Sequence, residues 1–210
     1  QVAEAYEAHI HNDSFEHMVQ PKMVYISNPT EVGTIYSKAE LTALSETCHK
    51  YGLYLFLDGA RLGYGLAAPD NDLTLPDIAA LCDVFYIGGT KVGVLFGEAV
   101  VIKTPELAQD FRYLIKQNGG MLAKGRLLGL QFDALFTEGL YQEISAHAIA
   151  MAEKLRGAFT AKGYTYLAPN RTNQIFVIVP DAHLAKISEQ FEYSYDQRID
   201  AAHSCVRVFI

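Results

Sequence analysis

Two short apolar runs, each breaking abruptly into polar groups, constrain the fold of this chain most. Leu53-Tyr54-Leu55-Phe56-Leu57 runs into Asp58-Gly59-Ala60-Arg61, and Val84-Phe85-Tyr86-Ile87 runs into Gly88-Gly89-Thr90-Lys91. A strand that is apolar at nearly every residue reads as buried on both faces, as in a parallel sheet covered by helices. A third strand, Lys22-Met23-Val24-Tyr25-Ile26-Ser27, precedes them. Between it and the strand at 53–57, Ser37-Lys38-Ala39-Glu40 forms a capping box ahead of Leu41, Leu44, Cys48 and Tyr51 at helical spacing, and Gly52 ends that helix. This strand–helix–strand unit predicts a parallel sheet. Functional groups of such sheets collect outside the carboxyl ends of the strands, where Asp58 and Lys91 stand.

Further along, a helix-prone stretch at Leu75–Leu81 leads into the strand at 83–87, and Gly93–Ile102 reads as a strand pair or one long bent strand. Pro105 opens helical patterning that continues to about Ala161, with a break at Asn118-Gly119-Gly120. After Gly163 short strands (Tyr164–Leu167, Gln174–Val179, Cys205–Ile210) alternate with a helix at Asp181–Gln190. The expectation is an α/β fold: a large domain with a mainly parallel sheet over residues 1–145, and a long helix with part of a small α+β C-terminal domain over 146–210. The chain opens on Gln1 inside a helical pattern and closes on Ile210 inside a strand pattern, so it reads as a piece of a longer protein.

Composition excludes several classes. Net charge is −7 and no Lys/Arg-rich face stands out, against nucleic-acid binding. No apolar run is long enough to cross a bilayer. Cys48, Cys82 and Cys205 are scattered in apolar or helical contexts and read as buried free thiols of a reducing, cytoplasmic compartment. The seven histidines fall into no metal-binding spacing, so no metal is expected, and GxSxG, GxxxxGK[ST] and strand-linked GxGxxG motifs are absent.

A carboxylate on one strand end and a lysine on the next suit pyridoxal 5'-phosphate (PLP), which a lysine holds as a Schiff base while a carboxylate keeps the ring nitrogen protonated. Lys91 could be an exposed turn lysine, but it follows an apolar strand and a tight Gly-Gly-Thr. Asp58 could be an ordinary Asp-Gly turn, but five apolar residues precede it. Arg61 reads either as a solvated arginine or as a group reaching the same crevice. Thr90 and the loop residues Asn28, Thr30 and Glu31 also lie at strand ends, and Arg207 alternates with apolar neighbours on the last strand.

Met18–Thr34 with its Asn28-Pro29-Thr30-Glu31-Val32-Gly33-Thr34 loop, Leu57-Asp58-Gly59-Ala60-Arg61, and Gly88-Gly89-Thr90-Lys91 together resemble the threonine aldolases and the related β-eliminating lyases, PLP enzymes of the aspartate-aminotransferase fold. The resemblance extends from residue 17 to Arg207. It implies PLP-dependent cleavage of threonine or allo-threonine to glycine and acetaldehyde. Lys91 would carry the Schiff base, and Asp58, Arg61, Thr90 and Asn28 would bind the cofactor. Arg61 and Arg207 would hold the carboxylate of the amino acid substrate. It also implies a homodimer or homotetramer, with Lys116, Lys124 or Arg126 reaching the phosphate in a neighbouring subunit. The alternatives are another PLP-dependent β-eliminating lyase, or a non-catalytic dimerising fragment.

Overall fold

The computed structural model describes residues 1–210. Helix α1 (Val2–Ile10) leads through a 3-10 turn to strand β1 (Met23–Ser27), helix α2 (Lys38–Lys50) and strand β2 (Tyr54–Asp58). Ser37 caps α2 as the sequence predicts: its hydroxyl accepts the Glu40 N–H at 3.3 Å, and its own N–H donates to the Glu40 carboxylate at 2.8 Å. Helices α3 (Leu62–Leu66) and α4 (Leu75–Leu81) lead to strands β3 (Val84–Gly88) and β4 (Glu98–Ile102). Strand order is β1-β2-β3-β4, with the first three parallel and β4 antiparallel to β3.

The expectation of strands buried on both faces is corrected. Leu55, Leu57, Phe85 and Ile87 are buried in one core with Leu41, Leu62, Ile78 and Tyr141 from the helices. The residues between them line a more open face, where Tyr25 is 54% exposed and Phe56 and Tyr86 are half-buried. The helices packed into this core lie on one side of the strands, so within residues 1–210 alternate strand residues meet different surroundings although the sequence is apolar at both. The expected strand at 93–102 also shortens. Gly93 and Gly97 take φ of +104° and +101°, which break the extended chain, and β4 starts at Glu98.

The run after β4 divides into α5 (Pro105–Ala108), α6 (Phe111–Gln117), α7 (Arg126–Phe136) and the long α8 (Leu140–Ala161). The expected division at 145/146 falls inside α8. Ala148 and Ile149 of that helix belong to the core under the first sheet, and Ala152, one turn on, belongs to a second core with Ile175, Val177, Val179, Leu184 and Val206. That core lies under a second, antiparallel sheet of β5 (Thr165–Tyr166), β6 (Gln174–Pro180), β8 (His203–Phe209) and β7 (Ser194–Arg198), in that spatial order, with α9 (Asp181–Ile187) between β6 and β7 in the chain. The two sheets are tied across the loop after β1: Asn170 Nδ2 donates to the Val32 carbonyl at 2.8 Å and Thr172 Oγ1 to the Gly33 carbonyl at 3.1 Å. No helix is long and apolar enough to cross a membrane.

Candidate active site

The carboxyl ends of β1, β2 and β3 are drawn together by backbone hydrogen bonds. Asn28 N–H donates to the Asp58 carbonyl at 3.0 Å, and Gly88 N–H to the Gly59 carbonyl at 2.8 Å. The approach is close enough to require glycine: a Cβ on Gly59 would stand 1.9 Å from the Tyr86 carbonyl oxygen, and one on Gly88 would stand 2.3 Å from that of Ala60. The rim therefore presents Asp58, Arg61 and Lys91 within one small region.

Asp58 is held on both oxygens. Oδ1 accepts the Ala60 N–H at 2.9 Å, and Oδ2 accepts the Tyr25 phenol. Burial pushes the carboxyl up, but the Tyr25 hydrogen bond, a looser contact from the Tyr86 phenol, the Ala60 N–H and the nearby Lys91 charge outweigh it, leaving Asp58 below the usual carboxylate range. Lys91 is exposed at its side chain, while its carbonyl accepts the Tyr64 phenol from α3.

A cleft of about 310 Å³ opens between the two sheet regions, lined by Arg61 and Tyr64 at α3 and Lys91 in the turn after β3, and by Asn173, Gln174, Arg207, Phe209 and Ile210 at the second sheet. Arg207 Nε, Gln174 Nε2 and Asn173 Oδ1 are buried there without a hydrogen-bond partner. Buried polar atoms ordinarily find partners, so their convergence marks a place shaped for a polar ligand. Two guanidinium groups and an ammonium around one cleft suit an anionic one. A larger hollow of about 590 Å³ between α8, α9 and the second sheet has 12 apolar residues among its 14 and no such convergence of charge.

The structure thus brings Arg61, Lys91 and Arg207 to one cleft, with Asp58 on the adjoining rim. Asn28 is buried, and its Oδ1 accepts the Tyr36 N–H at 3.2 Å. Thr90 is exposed, its hydroxyl 3.4 Å from Glu98. Thr30 bonds to Thr34 across its own loop at 2.6 Å. Lys116, Lys124 and Arg126 are exposed and do not line the cleft. Sequence reasoning missed Tyr25, Tyr64, Asn173 and Gln174. The available signal for the last two was a polar pair opening an otherwise apolar strand.

These residues fit PLP on their own chemistry. An ionised, doubly hydrogen-bonded carboxylate suits a pyridinium N–H, and the unpartnered Arg207 Nε faces a cleft that also contains a lysine.

The architecture is that of the aspartate-aminotransferase fold. A Thermus thermophilus aspartate aminotransferase superposes with a TM-score of 0.64 at 14% identity, covering 90% of this chain and 52% of that one. The model of the beta-eliminating lyase family matches residues 2–182, and the chain belongs to that family. It is similar to a Leishmania major threonine aldolase structure, with a TM-score of 0.94 and 45% identity over 100% of this chain and 61% of that one. It is also 35% identical to the low specificity L-threonine aldolase of Pseudomonas sp. (strain NCIMB 10558) over 165 residues, 77% of this chain. The chain spans about half the length of the curated relatives it matches, 47% in that case.

Proposed function

We infer that the protein is a PLP-dependent carbon–carbon lyase that cleaves a β-hydroxy amino acid, threonine or allo-threonine, to glycine and acetaldehyde. The observation that carries this reading is the meeting of Arg61, Lys91 and Arg207 at one cleft beside the Asp58 rim. The names of the similar proteins, threonine aldolases in both cases, give the reaction its direction.

Bound PLP supplies an electron sink for the pair released when a bond at the substrate Cα breaks. Lys91 would hold the cofactor through its amine. Asp58 would accept the ring N–H, and its depressed pKa keeps it ionised for that task. Arg61, at the start of α3, and Arg207, on β8, would grip the substrate carboxylate from two sides. Such a clamp fixes the orientation of Cα, and orientation decides which bond is cleaved. Phe209 and Ile210 form an apolar wall of the cleft.

Thr90 and Asn28 belong to the reading as cofactor neighbours. A homodimer or homotetramer is proposed as well, supported by the exposed apolar side chains of Tyr113 on α6, Leu122 in the connection that follows, and Leu127 and Leu130 on α7. The three buried free thiols suit a cytoplasmic setting.

The test is borohydride reduction of the chain with added PLP, followed by peptide mapping. A pyridoxyl mass on Lys91, with glycine and aldehyde formed from threonine, is the expected result. Ammonia and a keto acid in their place would assign a β-elimination instead, and an unlabelled Lys91 would overturn the PLP reading.

A further inference from the structure

The open face of the first sheet carries an aromatic row that ends on Asp58. Tyr25 of β1 is paired with Phe56 of β2, and their rings stack at 5.5 Å and 13°. Phe56 in turn meets Tyr86 of β3 at 6.2 Å and 58°. Asp58 lies two residues beyond Phe56 on the same strand and therefore on the same face. Two residues of strand advance about 6.6 Å, a distance a tyrosine spans, so a phenol anchored beside Phe56 reaches the carboxylate at the strand end.

We propose that Tyr25 is a positioning residue for Asp58: stacked on Phe56, it fixes the carboxylate plane so that the free acceptor sites of Asp58 point to the ring nitrogen of the cofactor. The proposal rests on the PLP reading above and adds to it a residue outside the cleft.

A carboxylate offers about four acceptor sites on its two oxygens. Ala60 N–H occupies one on Oδ1, and the Tyr25 phenol one on Oδ2. The Tyr86 phenol makes a looser contact with the same group, acceptor capacity remains beyond these contacts, and two bonds made at different oxygens leave the group no free rotation. The hydrogen bond to Asp58, followed by burial, raises the pKa of Tyr25, so the phenol remains a donor across the working range. The other charged or titratable groups facing the pair are Tyr86 and Lys91 toward Asp58, Glu31 toward Tyr25, and Glu98 toward Tyr86. The carboxylates of Glu31 and Glu98 make proton loss from either phenol harder, which keeps both as donors.

The test is Tyr25→Phe in the full chain, with Tyr86→Phe as its companion. Phenylalanine preserves the stack on Phe56, so a melting temperature within about 2 °C of the parent is expected. Loss of one hydrogen bond to a charged group should weaken PLP binding about tenfold. In the chain without added cofactor, the Asp58 carboxyl, followed by NMR, should titrate at higher pH in Tyr25→Phe than in the parent. Labelling of Lys91 in the parent with unchanged PLP affinity and unchanged Asp58 titration in Tyr25→Phe would overturn the proposal and leave the PLP reading standing. Tighter PLP binding in Tyr25→Phe would also overturn it, because the phenol would then be a competitor for Asp58. No labelling of Lys91 in the parent would overturn both.

Discussion

The Tyr64 phenol on α3 donates to the backbone carbonyl of Lys91, so the helix that begins just after Arg61 pins the turn that carries the lysine. Arg61 and Lys91 are thereby mechanically linked: Arg61 stands at the N-terminal end of α3, and three residues later the same helix holds the Lys91 backbone.

Tyr64→Phe removes that bond and little else, since Tyr64 is only 6% exposed and the ring can stay in place. A lost neutral hydrogen bond costs about 1 kcal/mol. For a chain of this length that is a fall in melting temperature of about 2–4 °C. Thermal unfolding of the variant checks this, and an unchanged melting temperature would mean that the turn at Lys91 is held by its glycines alone.

Arg207 should behave in the opposite sense. Its Nε is buried without a partner, a cost that folding bears and that leucine would remove. Its guanidinium also lies 5.9 Å from the Phe209 ring, a contact worth a fraction of that cost at a partly exposed site. Arg207→Leu is therefore expected to melt at or above the parent temperature while amino acid binding weakens by about tenfold or more. Titration of the PLP-loaded protein with glycine measures the second quantity. Destabilisation together with intact binding would make Arg207 a structural residue.

The thiols give a third prediction. Cys48, Cys82 and Cys205 are all buried, and burial pushes Cys82 up to about 12 and Cys205 up to about 11. The reactive species is the thiolate, so an aromatic disulfide reagent at pH 8 should modify none of the three in the native chain and all three after denaturation. Rapid modification of one thiol in the native protein would show local opening of the core that contains it.

Much of this was legible from local chemistry. The capping box at Ser37, the helix at 75–81 and the polar ends of the apolar strands depend on residues near one another in sequence, and each appears where it was read. Strand β7, Ser-Tyr-Asp-Gln-Arg, was invisible because an exposed edge strand needs no apolar face. Tyr25 and Tyr86 looked like ordinary strand formers. Their meeting with Asp58 depends on the register of three strands, which no single segment encodes. The orphan atoms of Asn173 and Gln174 depend on two sheets closing on each other, a tertiary fact with no local signature.

The N-terminus of α4 supplies a pH-dependent prediction. Thr74 and Asp77 form a reciprocal cap there, and Lys38 reaches Asp77 at 2.7 Å from the start of α2. The Lys38 contact, then the Thr74 hydroxyl and N–H, lower the Asp77 carboxyl from 3.8 to about 2. A folded pKa below the unfolded value adds stability above the unfolded pKa and loses it as pH falls through the folded one. The contribution is therefore complete above about pH 4 and gone below about pH 2. Asp77→Asn keeps an acceptor for the cap but discards the charge that Lys38 and the helix N-terminus favour. The variant should melt below the parent at neutral pH, and the gap should close between pH 4 and pH 2. Because Asp77 and Lys38 meet water, added salt should narrow the gap as well. Melting curves that stay parallel down to pH 2 would mean that the cap acts through its hydrogen bonds alone and that the Lys38 pair contributes nothing to holding α2 against α4.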